Sequence, residues 1–208
     1  MRHSFFNTAR FTHLLMNDIR LHKKMILSVI ATLMLFAFNI SDYFFVLYIG
    51  GLIISSMAFS EYHDPKRAHT AFTLPGSLFE KVLSKWILTS VGYALGLLAI
   101  YSMVALIMHF IKPIRGFNLL EPILWIGIGK YLVLQSVFFL GAISFKKYAF
   151  VKTFLIIAII YAFLLLSAMV ISPLFIISFT NLSLAYFYWL APIFWYVTYI
   201  KLTEYELR

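Results

Sequence analysis

The chain has 208 residues, of which 62% are hydrophobic and only 12% are charged, and its mean hydropathy is +0.91. A soluble domain usually carries about 25% charged residues, so the composition excludes an ordinary soluble domain and indicates an integral membrane protein. The net charge of +9 is spread between apolar stretches, which argues against a nucleic-acid partner. Cysteine is absent, which excludes disulfides, thiol nucleophiles and thiolate metal sites.

The N-terminal residues predict an amphipathic helix that lies at the membrane surface. Arg10, His13 and Arg20 follow one helical face together with Asn17, and apolar side chains occupy the opposite arc. This is the pattern of a helix in the headgroup plane. The helix is either a plain topological anchor or an elbow that also contacts a cytoplasmic partner. No apolar core with a small-residue cleavage site precedes it, so we expect no cleaved signal peptide.

Six apolar stretches approach or reach the roughly 20 residues that a spanning helix needs. They cover about 25–40, 43–59, 86–110, 122–145, 148–171 and 182–200. The first two, separated only by turn-forming residues, are together too long for one span. The sequence therefore predicts one domain over residues 1–208, an all-α integral membrane protein with six transmembrane helices.

The positions of the basic residues predict the orientation. All of the 17 Lys and Arg residues except Lys112, Arg115 and Lys130 fall in the N-terminal segment, in the segment 60–85, in the turn after the fourth span or at the C-terminus. Positively charged flanks stay cytoplasmic. We therefore expect both termini and the segment 60–85 to be cytoplasmic. The basic residues should also attract anionic lipids of the inner leaflet.

The segment 60–85 is the one long polar interruption, and it carries signals for two helices. Asp64 and Pro65 fit a helix start, with a short helix over about Pro65–Ala71. That helix would place Lys66, Arg67 and His69 toward water or a partner. Structured loops of this length tend to be functional, so the segment is the predicted docking surface.

A sharp turn and a second helix complete the segment. Pro75 disfavours helix at the residue before it, and Gly76 permits unusual dihedral angles. Ser77 and Glu80 then form a capping box, the reciprocal bonding of an N-cap side chain and the N3 side chain. We expect this capped helix to continue through Lys81 and Lys85 into the third span.

Catalytic signatures are absent from the sequence. It contains no P-loop, no H-E-x-x-H and no G-x-S-x-G. All eight carboxylates lie at or outside the ends of the predicted spans, whereas ion-driven carriers usually keep some within the bilayer. Lys130 falls within the fourth span, where a long side chain can reach the surface. Whether Lys130 or Gln135 lines a substrate path stays open.

The segment FSEYHDPKRAHTAFTLPGSLFEKVLSKW, Phe59–Trp86, is similar to the cytoplasmic loop of small permease subunits of ATP-binding-cassette exporters of the ABC-2 class. FFLGAISFKKYAFVKT, Phe138–Thr153, is a second match, and the six-span plan, the N-terminal helix and the chain length also fit. The short loop 111–121 departs from ABC-2 exporters that carry a large extracellular domain.

This resemblance implies a bacterial inner-membrane permease that pairs with an identical or homologous permease subunit and exports an amphipathic substrate such as a peptide, antibiotic or lipid. Two separate ATPase subunits would dock beneath it, and ATP and Mg²⁺ would bind to them rather than to this chain, which would be non-catalytic. The docking residues would be Asp64, Pro65, Lys66, Arg67, His69, Pro75, Gly76, Ser77, Glu80 and Lys81. Lys146, Lys147 and Lys152 would make a second, smaller cytoplasmic contact.

The main alternative is a membrane scaffold or assembly protein that uses the same loop to hold a soluble partner without transport. An intramembrane enzyme is a third possibility, but it would need buried catalytic groups that the sequence does not suggest.

Overall fold

The computed structural model describes residues 6–21, 43–111, 120–171 and 183–206, together with residues 23, 27, 28 and 31. These parts of the chain are helical and contain no strand, which confirms the all-α prediction for them. The helices are α1 (Thr8–Leu21), α2 (Tyr43–Met57), α3 (Ser60–His63), α4 (Pro65–Thr73), α5 (Leu78–Ile87), α6 (Tyr93–Ile111), α7 (Pro122–Ser144), α8 (Ala149–Ile171) and α9 (Ser183–Glu206). A π-helical segment, Leu88–Gly92, joins α5 to α6.

Three helical stretches are long and apolar enough to cross a membrane. They are Tyr43–His63, Leu78–Ile107 and Pro122–Ser144, and they contain or closely match the second, third and fourth predicted spans. The six-span prediction is not supported as a whole. The first predicted span lies almost entirely outside the described residues. In α8, the apolar stretch with described side chains, Ala149–Phe163, is shorter than a span, and α9 is not among the described stretches that meet the requirements of length and apolarity.

The stretch Leu78–Ile107 is longer than a membrane requires. Its 30 residues rise about 45 Å at 1.5 Å per residue, about 15 Å more than the hydrocarbon core of a bilayer. Fifteen ångströms correspond to about ten residues, which is the length of α5. We therefore place α5, with its charged residues, outside the hydrocarbon and the π segment at its edge.

Two clusters of buried side chains hold the helices together around α7. The first joins α2, α6 and α7 and includes Leu47, Leu97, Tyr101 and Tyr131. The second packs the polar segment against the ends of α7 and α9, and its members are Ala58, Phe59, Tyr62, Ala71, Val82, Phe139, Ala142, Ile143 and Leu202. The segment predicted to be a cytoplasmic loop is therefore a folded part of the protein.

Candidate functional site

The short helix α4 begins where the sequence predicts it. Its first residue is Pro65, and it ends at Thr73, two residues beyond the predicted end. The Asp64 carbonyl accepts from the amides of Arg67 and Ala68 at 3.0 and 2.8 Å. Pro65 has no N–H to leave unsatisfied at this position. The local signal for a helix start is thus confirmed.

The capping box is confirmed atom by atom. The Ser77 hydroxyl accepts from the Glu80 amide at 3.2 Å, and Glu80 Oε2 accepts from the Ser77 amide at 2.8 Å. Two of the free amides at the start of α5 are therefore satisfied. The beginning of α5 is fixed directly after the Pro75–Gly76 turn.

Four of the ten predicted docking residues are exposed. Pro65, Arg67, His69 and Pro75 are exposed, while Asp64, Gly76 and Ser77 are partly buried. The side chain of Lys66 lies outside the described residues. Arg67 Nε is 3.6 Å from Asp64 Oδ2, and their side chains are 76% and 45% exposed. The exposed residues of α4 and of the following turn form what we call the α4 surface.

Glu80 is buried, in contrast to its predicted place on the docking surface. Its Oε1 accepts from the Asn7 amide at 2.6 Å and from Arg10 Nη2 at 3.2 Å. Burial raises the pKa of Glu80, but the amides of Asn7 and Ser77 and the Arg10 guanidinium together lower it below its ordinary value. Glu80 therefore joins α5 to the start of α1.

Lys81 is also buried and binds within the polar segment. Its Nζ donates to the Phe72 carbonyl at 2.9 Å and lies 6.0 Å from the centre of the Phe72 ring. Burial lowers the pKa of Lys81, against the opposite influence of Glu206 and Glu61. Lys81 ties the end of α4 to the first turn of α5, so it faces the interior and not a partner.

A second set of buried charges joins α1, α3 and α5. Lys85 Nζ lies 2.6 Å from Glu61 Oε1 and 3.4 Å from Asp18 Oδ1, and 5.5 Å from the centre of the Tyr62 ring. Ser84 Oγ donates to Asp18 Oδ2 at 2.7 Å. We call Asp18, Glu61, Ser84 and Lys85 the buried ion cluster. Because ion pairs away from water are costly to break, the cluster fixes α1 and α3 to α5.

Sequence reasoning placed these charges at span ends but did not pair them. One signal was present: Arg10 and Asp18 are about two turns apart in a helix, so opposite charges share a face of α1. That face meets Glu80 at one end and Ser84 with Lys85 at the other. Opposite charges on one face of α1, matched by the opposite charges of Glu80 and Lys85 on α5, would have suggested that the two helices pack together.

The N-terminal helix is present but is attached to the protein more firmly than predicted. Leu14 and Asp18 are buried against α5, and Arg10, which was expected on the polar face, is partly buried. His13 and Arg20 are exposed as an interfacial helix requires, but the apolar Met16 is exposed too. One stripe of α1 therefore packs on α5 and is unavailable to lipid.

Polar side chains of α7, α9 and the π segment are connected by a chain of hydrogen bonds. Tyr131 donates to the Thr89 carbonyl at 2.5 Å, and Gln135 Nε2 donates to Thr89 Oγ1 at 2.9 Å. Trp195 Nε1 donates to Gln135 Oε1 at 3.3 Å. Gln135 is thus a buried link between α7, the π segment and α9. Lys130 is exposed on α7.

An apolar groove lies between α5 and α9, with a volume of about 440 Å³. It is lined by Phe79, Val82, Leu83, Trp86, Trp195, Tyr196 and Tyr199. Trp86 and Trp195 meet edge to face at 4.7 Å between ring centres.

No group of three or more His, Cys, Asp or Glu residues in the described part of the chain could hold a metal ion. The comparisons with known proteins add no assignment: no family model, no curated protein and no solved structure matches the chain.

Proposed function

We propose that the chain is the transmembrane subunit of an ATP-driven exporter of the ABC-2 class, which couples hydrolysis by separate ATPase subunits to export of an amphipathic substrate. The observation that carries the proposal is the construction of the polar segment. The exposed short helix α4 is joined to α5 through the buried Lys81, and buried ion pairs fix α3 and α1 to the same helix. From α5 the chain continues as one helical stretch that is long and apolar enough to cross a membrane. This arrangement allows a partner bound at the surface to move the helices to which α4 is attached.

The contacts of α4 define the path by which its displacement would reach the other helices. A partner that presses on the α4 surface moves the end of α4, which Lys81 holds to α5 through the Phe72 carbonyl. The capping box keeps the start of α5 from fraying. Displacement of α5 then reaches α6 through the π segment, and α1 follows because the buried ion cluster joins it to α5.

The proposal keeps the six predicted spans, with both termini in the cytoplasm and the α4 surface on the cytoplasmic face of a bacterial inner membrane. A second permease subunit, identical or homologous, would complete the path. ATP and Mg²⁺ would bind to the ATPase subunits. The groove between α5 and α9 supports an apolar or amphipathic substrate because aromatic and aliphatic side chains line it.

Co-purification of the full chain with its ATPase partner, identified by cross-linking in the native membrane, tests the docking. The K66Q/R67Q variant removes two neighbouring charges from α4, and K130Q removes an exposed charge from a different part of the chain. We expect K66Q/R67Q to lose at least tenfold in recovered ATPase and K130Q to retain it. Equal recovery with both variants would show that the α4 surface is not the docking site.

Transport is tested separately in proteoliposomes that contain the chain and the ATPase. An exporter should show ATPase activity that rises with an amphipathic substrate. A stable complex whose ATPase activity no substrate changes, and which moves none across the membrane, would instead indicate the scaffold role.

A further inference from the structure

Three lysines surround the turn between α7 and α8, and none of them pairs with an acidic residue among those that the structure describes. Lys146 and Lys147 are exposed in the turn, and Lys152 is exposed in the first turn of α8. In the described parts of the chain, no carboxylate lies within ion-pair distance of these three ammonium groups. Lys152 Nζ lies 5.6 Å from the centre of the Phe145 ring. We call Lys146, Lys147 and Lys152 the cationic turn.

We place the cationic turn at the membrane surface, on the same side as the α4 surface, for two reasons. It directly follows Ser144, the end of a stretch long and apolar enough to cross the membrane. Just before the turn, the Ala142 carbonyl accepts from His63 Nε2 at 2.8 Å, which links it to α3. Lys201 Nζ donates to Ser144 Oγ at 3.0 Å and adds positive charge beside the turn.

An apolar stripe descends from the cationic turn along α8. Leu155, Ile156 and Ile159 follow Lys152 at the spacing of one helical face, and all three are exposed. Tyr148, in the turn itself, is 77% exposed and has a φ of 55°. Tyrosine is enriched at the level of lipid headgroups. Cations above an apolar stripe match the two ends of a phospholipid.

We propose that the cationic turn is a binding site for an anionic phospholipid of the leaflet that faces the α4 surface. The lysine ammonium groups bind the headgroup phosphodiester, and an acyl chain lies along the stripe of Leu155, Ile156 and Ile159. The stripe favours a lipid over free phosphate, which has no apolar part. It also favours a lipid over a soluble ATPase, because a contact confined to the aqueous side would leave the stripe unused.

The number of lysine charges removed sets the expected loss of lipid affinity. Each lysine near an anionic membrane surface contributes about fivefold in affinity, so K146Q/K147Q should weaken binding about 25-fold. Raising the salt concentration should also weaken it, because the Debye length shortens. The charge-preserving variant K146R/K147R should retain the affinity.

The test uses the purified full chain in a neutral detergent, without ATPase, titrated with short-chain phosphatidylglycerol, short-chain phosphatidylcholine and inorganic phosphate. We expect phosphatidylglycerol to bind at least fivefold more tightly than phosphatidylcholine, and phosphate not to compete. K66Q/R67Q removes the same number of neighbouring charges from α4 and should leave lipid binding unchanged. Circular dichroism shows whether each variant keeps its helices.

Three outcomes would overturn the proposal: equal affinity for the two lipids, competition by phosphate at the same concentration, or equal weakening by K146Q/K147Q and K66Q/R67Q. If K146Q/K147Q keeps its lipid affinity but loses the ATPase in co-purification, the turn is a protein contact instead. The lipid assay contains no ATPase, so its result does not depend on the exporter proposal.

Discussion

Replacement of Lys85 by methionine tests the buried ion cluster most directly. The ammonium group is 2.6 Å from Glu61 and 3.4 Å from Asp18, and the Lys85 side chain is only 4% exposed. With an effective dielectric constant of about 20, these two attractions correspond to about 6 and about 5 kcal/mol. Desolvation offsets several kcal/mol. Because Lys85→Met leaves two carboxylates buried without a cation, we expect it to lower the free energy of unfolding by about 3–5 kcal/mol.

The assay is unfolding in mixed micelles, in which dodecyl sulfate is titrated into a mild detergent while circular dichroism follows helix content. Arg67→Met is the matched control, since it breaks an ion pair whose side chains are 76% and 45% exposed. Such surface pairs contribute about 0–1 kcal/mol. The double variant Glu61→Gln/Lys85→Met leaves Asp18 with its Ser84 hydrogen bond, so it should be more stable than Lys85→Met alone.

A cost below about 1 kcal/mol for Lys85→Met, the range of exposed pairs, would refute the reasoning, because it would mean that water solvates the three charges. A double variant no more stable than Lys85→Met would also contradict it, since relief of the unpaired Glu61 carboxylate is the predicted gain. Limited proteolysis provides a local readout: Lys85→Met should make α1 more accessible, whereas Arg67→Met should not.

Two further predictions concern other contacts of α1, α7 and α8. Gly141→Ala should destabilise the protein by about 1–3 kcal/mol, because the new Cβ would overlap the Thr153 side chain. Gly96→Ala is the control, since there is open space at its Cβ. Equal melting temperatures for the two variants would contradict the α7–α8 packing. The lowered pKa of Glu80 means that its stabilising contacts are present above its ordinary value of 4.5 and are lost as the pH falls below that value. Thermal unfolding of wild type and Glu80→Gln should therefore differ at pH 7 and converge in acid, and a constant difference would show that Glu80 does not titrate with folding.

The sequence was sufficient for features that depend on near neighbours or on composition. The apolar composition indicated a helical membrane protein, since a bilayer requires backbone groups to be satisfied within each segment. The Asp64–Pro65 start of α4 and the Ser77–Glu80 capping box were predicted correctly because they involve residues only a few positions apart. Three of the six predicted spans correspond to helices that meet the requirements of length and apolarity.

Only the tertiary structure decided which charges meet water and which meet each other. Asp18 and Lys85 are 67 positions apart, so no local pattern brings them together. Glu80 and Lys81 appeared to belong to the docking surface, yet both are buried by their contacts with α1 and α4. The physical reason is that a charged residue is compatible with water and with a buried partner alike, and the packing of distant helices determines which of the two it meets.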